Sequence, residues 1–229
     1  MTQAHQHRIA IILARQNSKG IPLKNLQTVG GISLLGRAIL AAKDSGVFSQ
    51  IVVSTDGDAI AHEAKSYGVS VIHRPDELAN DTATSIAGVL HALDELHIQD
   101  GICCLLQPTS PLRTGQHIRE AYELFLQQNG GCVIAACASE QHPYKVLLQT
   151  EQGFMPVHEL SDLERPRQQL PKAFTPNGAI YFNHIARLIA EPRFFHDPIC
   201  LYEMSERDSV DIDRVQDLEL ANALVQTNH

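Results

Sequence analysis

Short apolar runs alternate with amphipathic stretches along the first 137 residues of the chain. Ile9 to Ala14 is unbroken, rich in β-branched residues and too short for a helix of ordinary length, so it predicts a strand buried on both faces. Behind Ser33, the residues Leu34, Leu35, Ala38, Ile39 and Ala42 recur at helical spacing, and Gly46 closes the pattern. The alternation repeats as strand 51–54, helix 59–67 ending at Gly68, strand 69–72, helix 82–96, strand 102–106, helix 114–128 and strand 132–137. Parallel neighbours cannot be joined by a tight hairpin, so this rhythm predicts an α/β fold of three layers around a mostly parallel sheet with right-handed crossovers.

The rhythm breaks between Ala138 and Pro176, a charged, Pro-bearing and Gln-rich stretch with no clear period. A loop of that length is unusual inside a compact domain. Its scattered Leu147, Leu148, Phe154, Val157, Leu160 and Leu163 predict a small inserted lobe that packs on something. Strands 178–182 and 199–204 and an amphipathic helix 215–225 complete the chain, which at 229 residues and 44% apolar composition suits one large domain with that lobe inserted at 138–176.

Polar residues gather where the predicted strands end. In open parallel sheets ligands bind beyond the carboxyl ends of the strands. Arg15, Ser18, Lys19 and Lys24 follow the first strand, so the loop predicts an anion site, with Gly20 allowing close backbone approach. A solvated surface loop is the alternative. Neither G-x-x-x-x-G-K-[ST] nor G-x-G-x-x-G occurs, which argues against a P-loop ATPase and a dinucleotide-binding dehydrogenase. Ser54-Thr55-Asp56 and Arg74-Pro75 end the next two strands, and Gln107 to Arg113 forms a Pro-bounded turn ahead of a cap at Thr114. Asp211 and Asp213, two apart in an extended segment, face one side. Two such carboxylates repel unless a cation lies between them, and Mg²⁺ takes one or two carboxylates with phosphate oxygens. The alternative for Asp213 is a cap on the last helix.

A net charge of −8 argues against nucleic acid as a partner, so the cations of the first loop are a local feature. No apolar stretch approaches a membrane span and residues 1–7 lack a signal-peptide core, so a cytoplasmic protein without membrane contact is expected. Five cysteines without a C-x-x-C pattern predict buried thiols rather than a zinc or nucleophilic site. His5 and His7 lie in a polar terminus.

The segment Leu13-Ala14-Arg15-Gln16-Asn17-Ser18-Lys19-Gly20-Ile21-Pro22-Leu23-Lys24-Asn25 resembles the nucleotide-binding loop of the acylneuraminate cytidylyltransferases, the CMP-sialic acid synthetases. That loop usually reads R-x-G-S-K-G-x-x-x-K-N, and Asn17 stands here where the first Gly is common. Leu106-Gln107-Pro108-Thr109-Ser110-Pro111-Leu112-Arg113 resembles a second motif of the family. Asp81 to Ser85, His142 to Lys145, Arg165 to Gln169 and Pro176 to Tyr181 extend the resemblance over nearly the full chain. It implies a Rossmann-like nucleotidyltransferase fold, a lobe at 138–176 that reaches across a homodimer, and transfer of CMP from CTP to N-acetylneuraminic acid with release of pyrophosphate. It further implies that Arg15, Ser18, Lys19, Lys24, Asn25, Arg74, Thr84 and Ser85 bind the nucleotide. Gln107, Ser110, Lys145, Arg167, Asn177 and Tyr181 would surround the acidic nine-carbon sugar. Asp211 and Asp213 would hold Mg²⁺, with Mn²⁺ as an alternative, and Arg15, Lys19 and Asp211 would be catalytic. Rival readings are the same chemistry on legionaminic acid, pseudaminic acid or Kdo, and a nucleotide-sugar-binding regulator without turnover.

Overall fold

The computed structural model describes residues 7–17, 20–128 and 130–227. Strand β1 (Arg8–Leu13) alternates its side chains between two cores. Ala10 and Ile12 join one cluster, Ile9 and Ile11 the other, so the strand is buried on both faces. A small hairpin, β2 (Thr28–Val29) and β3 (Ile32–Ser33), leads into α1 (Leu34–Ser45). The Ser33 hydroxyl caps α1 by accepting the Gly36 N–H at 2.8 Å, and Gly46 ends it at φ 64°.

Then come β4 (Gln50–Thr55), α2 (Asp58–Ser66), β5 (Ser70–His73), α3 (Ser85–Glu95), β6 (Ile102–Leu105), α4 (Gly115–Gln127) and β7 (Cys132–Ala138). Helix α3 starts three residues later than the periodicity predicts. The Asn80 side chain accepts from Thr82 N, Thr82 Oγ1 and Ala83 N at 2.7–2.9 Å and holds that stretch in a turn.

Residues 138–176 carry short structure of their own. An antiparallel hairpin, β8 (Leu147–Thr150) and β9 (Gly153–Pro156), is flanked by 3₁₀ turns at Pro143–Lys145, Leu160–Leu163 and Arg167–Gln169. Its interior is polar. Asp162 is 1% exposed, with His158 Nδ1 2.6 Å and Arg165 NH1 2.9 Å away, and Tyr144 stacks on His158. The hydrogen bond with His158 and then the charge of Arg165 hold the Asp162 carboxyl below its ordinary value against the opposing effect of desolvation. Leu170 is buried, but many of the segment's apolar residues stay outside: Leu147, Leu148 and Val157 are exposed, with Phe154 at 71% and Leu160 at 70%.

β10 (Phe174–His184), α5 (Ile185–Ala190), β11 (Ile199–Glu203) and α6 (Val215–Gln226) finish the fold. The seven-stranded sheet has the order β11-β7-β10-β6-β1-β4-β5. Every pairing in it is parallel except those of β10, which runs antiparallel to both β6 and β7. Helices α1, α2 and α4 pack on one face, α3 and α5 on the other, giving the three layers. All five cysteines are free thiols, and among the described residues no helix is long and apolar enough to cross a membrane.

Candidate active site

The carboxyl ends of β1, β5 and β6 open onto one cavity of about 460 Å³. Arg15, Lys24, Asn25, Arg74, Thr84, Ser85, Gln107, Asp211 and Asp213 line it, so residues far apart in sequence converge there. Ser18 and Lys19 lie outside the described residues, as does His5.

The first loop is fastened from three sides. Buried Asn25 donates its amide to Arg15 O at 2.9 Å, and Asp56 accepts the Gln16 N–H at 2.8 Å. Lys24 Nζ donates to Ile212 O at 2.8 Å and to Asp213 Oδ1 at 3.0 Å, which ties the loop to the acidic segment. Gly20 belongs to the same seam: a Cβ there would stand 2.7 Å from Asp213 O. Among the described residues of this loop only Leu23, at φ 48°, has left-handed backbone, so Asn17 sits without strain where the family favours Gly. Arg15 NH1 meets Asp81 Oδ1 at 2.7 Å at the cavity rim.

Arg74 follows β5 and supplies the site's buried cation. It is 6% exposed, and its Nε and NH2 have no hydrogen-bond partner. Desolvation lowers its pKa below the ordinary value, Asp56 works against that shift, and Arg15 adds to it. A buried guanidinium with unpartnered donors in the wall of a cavity is suited to an acceptor-rich ligand. Gly88 makes room for it, because a Cβ there would lie 3.4 Å from Arg74 NH1 and 3.3 Å from the Leu13 methyls. Thr84 caps α3 and Ser85 begins it, and both line the cavity, so the positive end of that helix faces the same volume.

Ile212 is fully buried and its N–H donates to Thr109 O at 2.8 Å, while Asp211 and Asp213 on either side both line the cavity. The two-residue spacing therefore places both carboxylates in one volume. Desolvation is the first cause raising the Asp211 carboxyl; the Thr109 hydrogen bond opposes it and the Asp213 charge adds to it. Asp213 does not cap the last helix: Asp217 Oδ2 accepts the N–H groups of Asp213 and Arg214 at 2.9 and 2.7 Å. Two carboxylates in one volume, offering hard oxygen donors, fit a Mg²⁺-type cation. Among the described residues no cluster of three or more His, Cys, Asp or Glu could enclose a metal, so remaining ligands would come from water or substrate oxygens.

Other expected residues stand behind or away from this cavity. Ser110 is fully buried and its hydroxyl donates to Asn177 O at 3.2 Å. Asn177 spends its amide N–H groups on Ser209 Oγ at 2.9 Å and Met204 Sδ at 3.3 Å. Tyr181 packs against Phe194 and Phe195, and burial, then the nearby Asp211 charge, raises its phenol. Lys145 Nζ donates to the carbonyls of Asp162 and Leu163 at 3.3 and 3.0 Å, and Arg167 NH1 to Glu140 O at 2.8 Å. Asp81 and Thr109 also line the cavity; Thr109 lies in the turn that ends β6 and Asp81 in the stretch that leads into α3, and those positions are the signal that points to them.

Residues 9–228 match the family model described as cytidylyltransferase. N-acylneuraminate cytidylyltransferase B of Danio rerio is 35% identical over 214 residues, covering 93% of this chain and 50% of that protein. The chain thus spans about half the length of the N-acylneuraminate relatives it matches. A pseudaminic acid cytidylyltransferase of Campylobacter jejuni is 32% identical over 226 residues, covering 96% of this chain and 97% of its own length. Among solved structures, a CMP:2-keto-3-deoxy-manno-octonic acid synthetase complexed with CTP superposes with a TM-score of 0.72 at 15% identity, over 97% of this chain and 100% of that one. That likeness concerns the fold alone. With the family model and a relative matched end to end, the chain belongs to the cytidylyltransferase family.

Proposed function

We propose that the protein transfers CMP from CTP to an acidic 2-keto sugar, N-acetylneuraminic acid in the first instance, releasing pyrophosphate. The observation that supports this is one cavity holding the idle guanidinium of buried Arg74, the cations Arg15 and Lys24, and the carboxylates Asp211 and Asp213. The anomeric hydroxyl oxygen of the sugar forms a bond to the α-phosphorus, the bond from that phosphorus to the pyrophosphate oxygen breaks, and the hydroxyl proton passes to solvent. Arg15 and Lys24, with Lys19 beyond the described residues, offset phosphate charge. Ser85 and the N-terminal end of α3 orient an anionic or acceptor-rich part of the nucleotide. Asp211 and Asp213 would hold Mg²⁺, which when bound supplies Lewis-acid stabilisation of the phosphates. Among the described residues no histidine lines the cavity, so a His base has no support.

The end-to-end match to a pseudaminic acid enzyme favours a second reading with the same chemistry and another acceptor. Purified protein with CTP, Mg²⁺ and a panel of 2-keto sugar acids decides between them by pyrophosphate release. Turnover is expected with at least one nine-carbon acid; release with none would remove the assignment.

The segment 138–176 is assigned here as a dimerisation lobe. Its exposed Leu147, Leu148, Phe154 and Leu160 are supplied with cover by a two-fold partner. Lys145 and Arg167 then serve the sugar carboxylate of the neighbouring subunit, for which a forked guanidinium is suited. Mixed dimers of an Arg167→Ala chain with an Asp211→Asn chain should regain one working site in two. Verified heterodimers without recovery, or a fully active monomer by sedimentation, would exclude shared sites. Free thiols and a modest acidic charge support a cytoplasmic setting.

A further inference from the structure

Arg113 ends the turn after β6, is 3% exposed, and makes no ion pair among the described residues. Its Nε and NH2 have no partner, and burial lowers its guanidinium to about 10. A buried cation without a counter-charge is costly, and a core that needed only filling would hold an apolar side chain there. The one group it does use, NH1, donates twice: to Gln107 O at 2.9 Å and to Ala179 O at 3.1 Å.

Those two carbonyls identify the role. The last pair between β6 and β10 is Leu105 with Tyr181. Two residues further along each strand, the same antiparallel register would set Gln107 opposite Ala179. The ladder does not continue to that rung, and β10 shifts register against β7 over the same stretch, between Pro176 and Tyr181. The Arg113 guanidinium takes the place of the missing rung. With the strands held apart, Gln107 lines the cavity and Gly178, at φ +77°, fits against its side chain; a Cβ on Gly178 would stand 2.2 Å from Gln107 Oε1. Thr109, in the same turn, accepts the Ile212 N–H at 2.8 Å through its backbone carbonyl.

The structure assigns Arg113 as a positioning residue: its guanidinium replaces one rung of the β6–β10 ladder and keeps the Gln107 side chain turned into the cavity, so that it governs affinity for the sugar acceptor rather than for the nucleotide. This rests on the function proposed above, in which Gln107 meets the sugar.

The test is a split between the two substrates. Arg113→Met keeps volume and removes charge and donors; Arg113→Lys keeps the charge with a shorter reach. Arg113→Met is expected to raise the acceptor KM about tenfold or more, since misplacement near 1 Å costs up to ~10²-fold. Its CTP Kd, measured by calorimetry without acceptor, should stay within about twofold, and Arg113→Lys should fall between it and the wild type. In a Gln107→Ala background, Arg113→Lys should change the acceptor KM no further, because residues acting through one contact are non-additive. If Arg113→Met does not fold, the Lys variant and its combination with Gln107→Ala decide alone. Equal losses for nucleotide and acceptor, no shift in either, additive effects with Gln107→Ala, or a Lys variant that does not fold would assign Arg113 to stability and overturn the proposal. A wild type inactive on every acid would overturn the proposed function and this inference together; an active wild type without the split overturns this inference alone.

Discussion

Asp211→Asn should lower pyrophosphate release by several orders of magnitude with the fold intact, because a bound metal supplies several kcal/mol of transition-state stabilisation. Each decade of rate corresponds to about 1.4 kcal/mol. Asp211 is the more sensitive of the two carboxylates: Asp213 already shares its charge with Lys24 at 3.0 Å, whereas Asp211 makes no ion pair among the described residues. Asn retains the shape and an acceptor oxygen but not the charge that attracts a divalent cation. Asp213→Asn should be damaging for the same reason and has a second consequence, since it also removes the 3.0 Å ion pair with Lys24. Circular dichroism checks the fold, and Mn²⁺ binding by electron paramagnetic resonance checks the cation separately from turnover. Near-normal release by both variants in Mg²⁺ would remove the metal assignment.

Arg15→Ala should weaken both CTP affinity and rate, together by about 10²-fold, since hydrogen bonds to charged groups are worth about 1.5–3 kcal/mol each. Its carbonyl is fixed by Asn25 and its guanidinium by Asp81, so the side chain is held at the cavity rim in advance of a ligand. Losing it removes positive charge and leaves the negative charge of Asp81 less offset where phosphates must pass. Arg15→Lys should recover little, because a point charge on a shorter stem cannot span Asp81 and a phosphate oxygen with two parallel donors. Calorimetric titration with CTP and steady-state rates measure the two effects; unchanged values in Arg15→Ala would return the segment to an ordinary surface loop.

The β-α-β half of the fold was legible because each element carries its own signal: an apolar run for β1, a Ser33 cap and Gly46 stop for α1, alternation thereafter. The direction of β10 was not, since an antiparallel central strand has the same apolar pattern as a parallel one and only its pairing with β6 and β7 distinguishes them. The segment 138–176 stayed opaque for a different reason: its interior holds the Asp162, His158 and Arg165 cluster, and Leu147, Leu148, Phe154 and Leu160 face outward, which departs from the usual pattern. At the site, strand-end residues such as Arg15, Arg74 and Gln107 followed from the sheet-edge rule. Arg113 did not, because nothing in a sequence marks an arginine for burial. Ser110 and Asn177 came from the resemblance, and their internal hydrogen bonds show them holding the turn and β10 together.

The antiparallel course of β10 also sets the terms on which the lobe is attached. Chain leaves β7 at Ala138 and re-enters β10 at Phe174, and these two residues are directly paired, with Ser139 N donating to Ala173 O at 2.9 Å just outside them. Topologically the intervening segment is one long hairpin connection whose ends are already joined by the sheet. Loop-closure cost grows slowly, about 0.6 kcal/mol per doubling of length. The core therefore places almost no constraint on how long that connection is or what it folds into, so lobes of different size and surface can be exchanged at this joint while the cavity at the ends of β1, β5 and β6 stays unaltered.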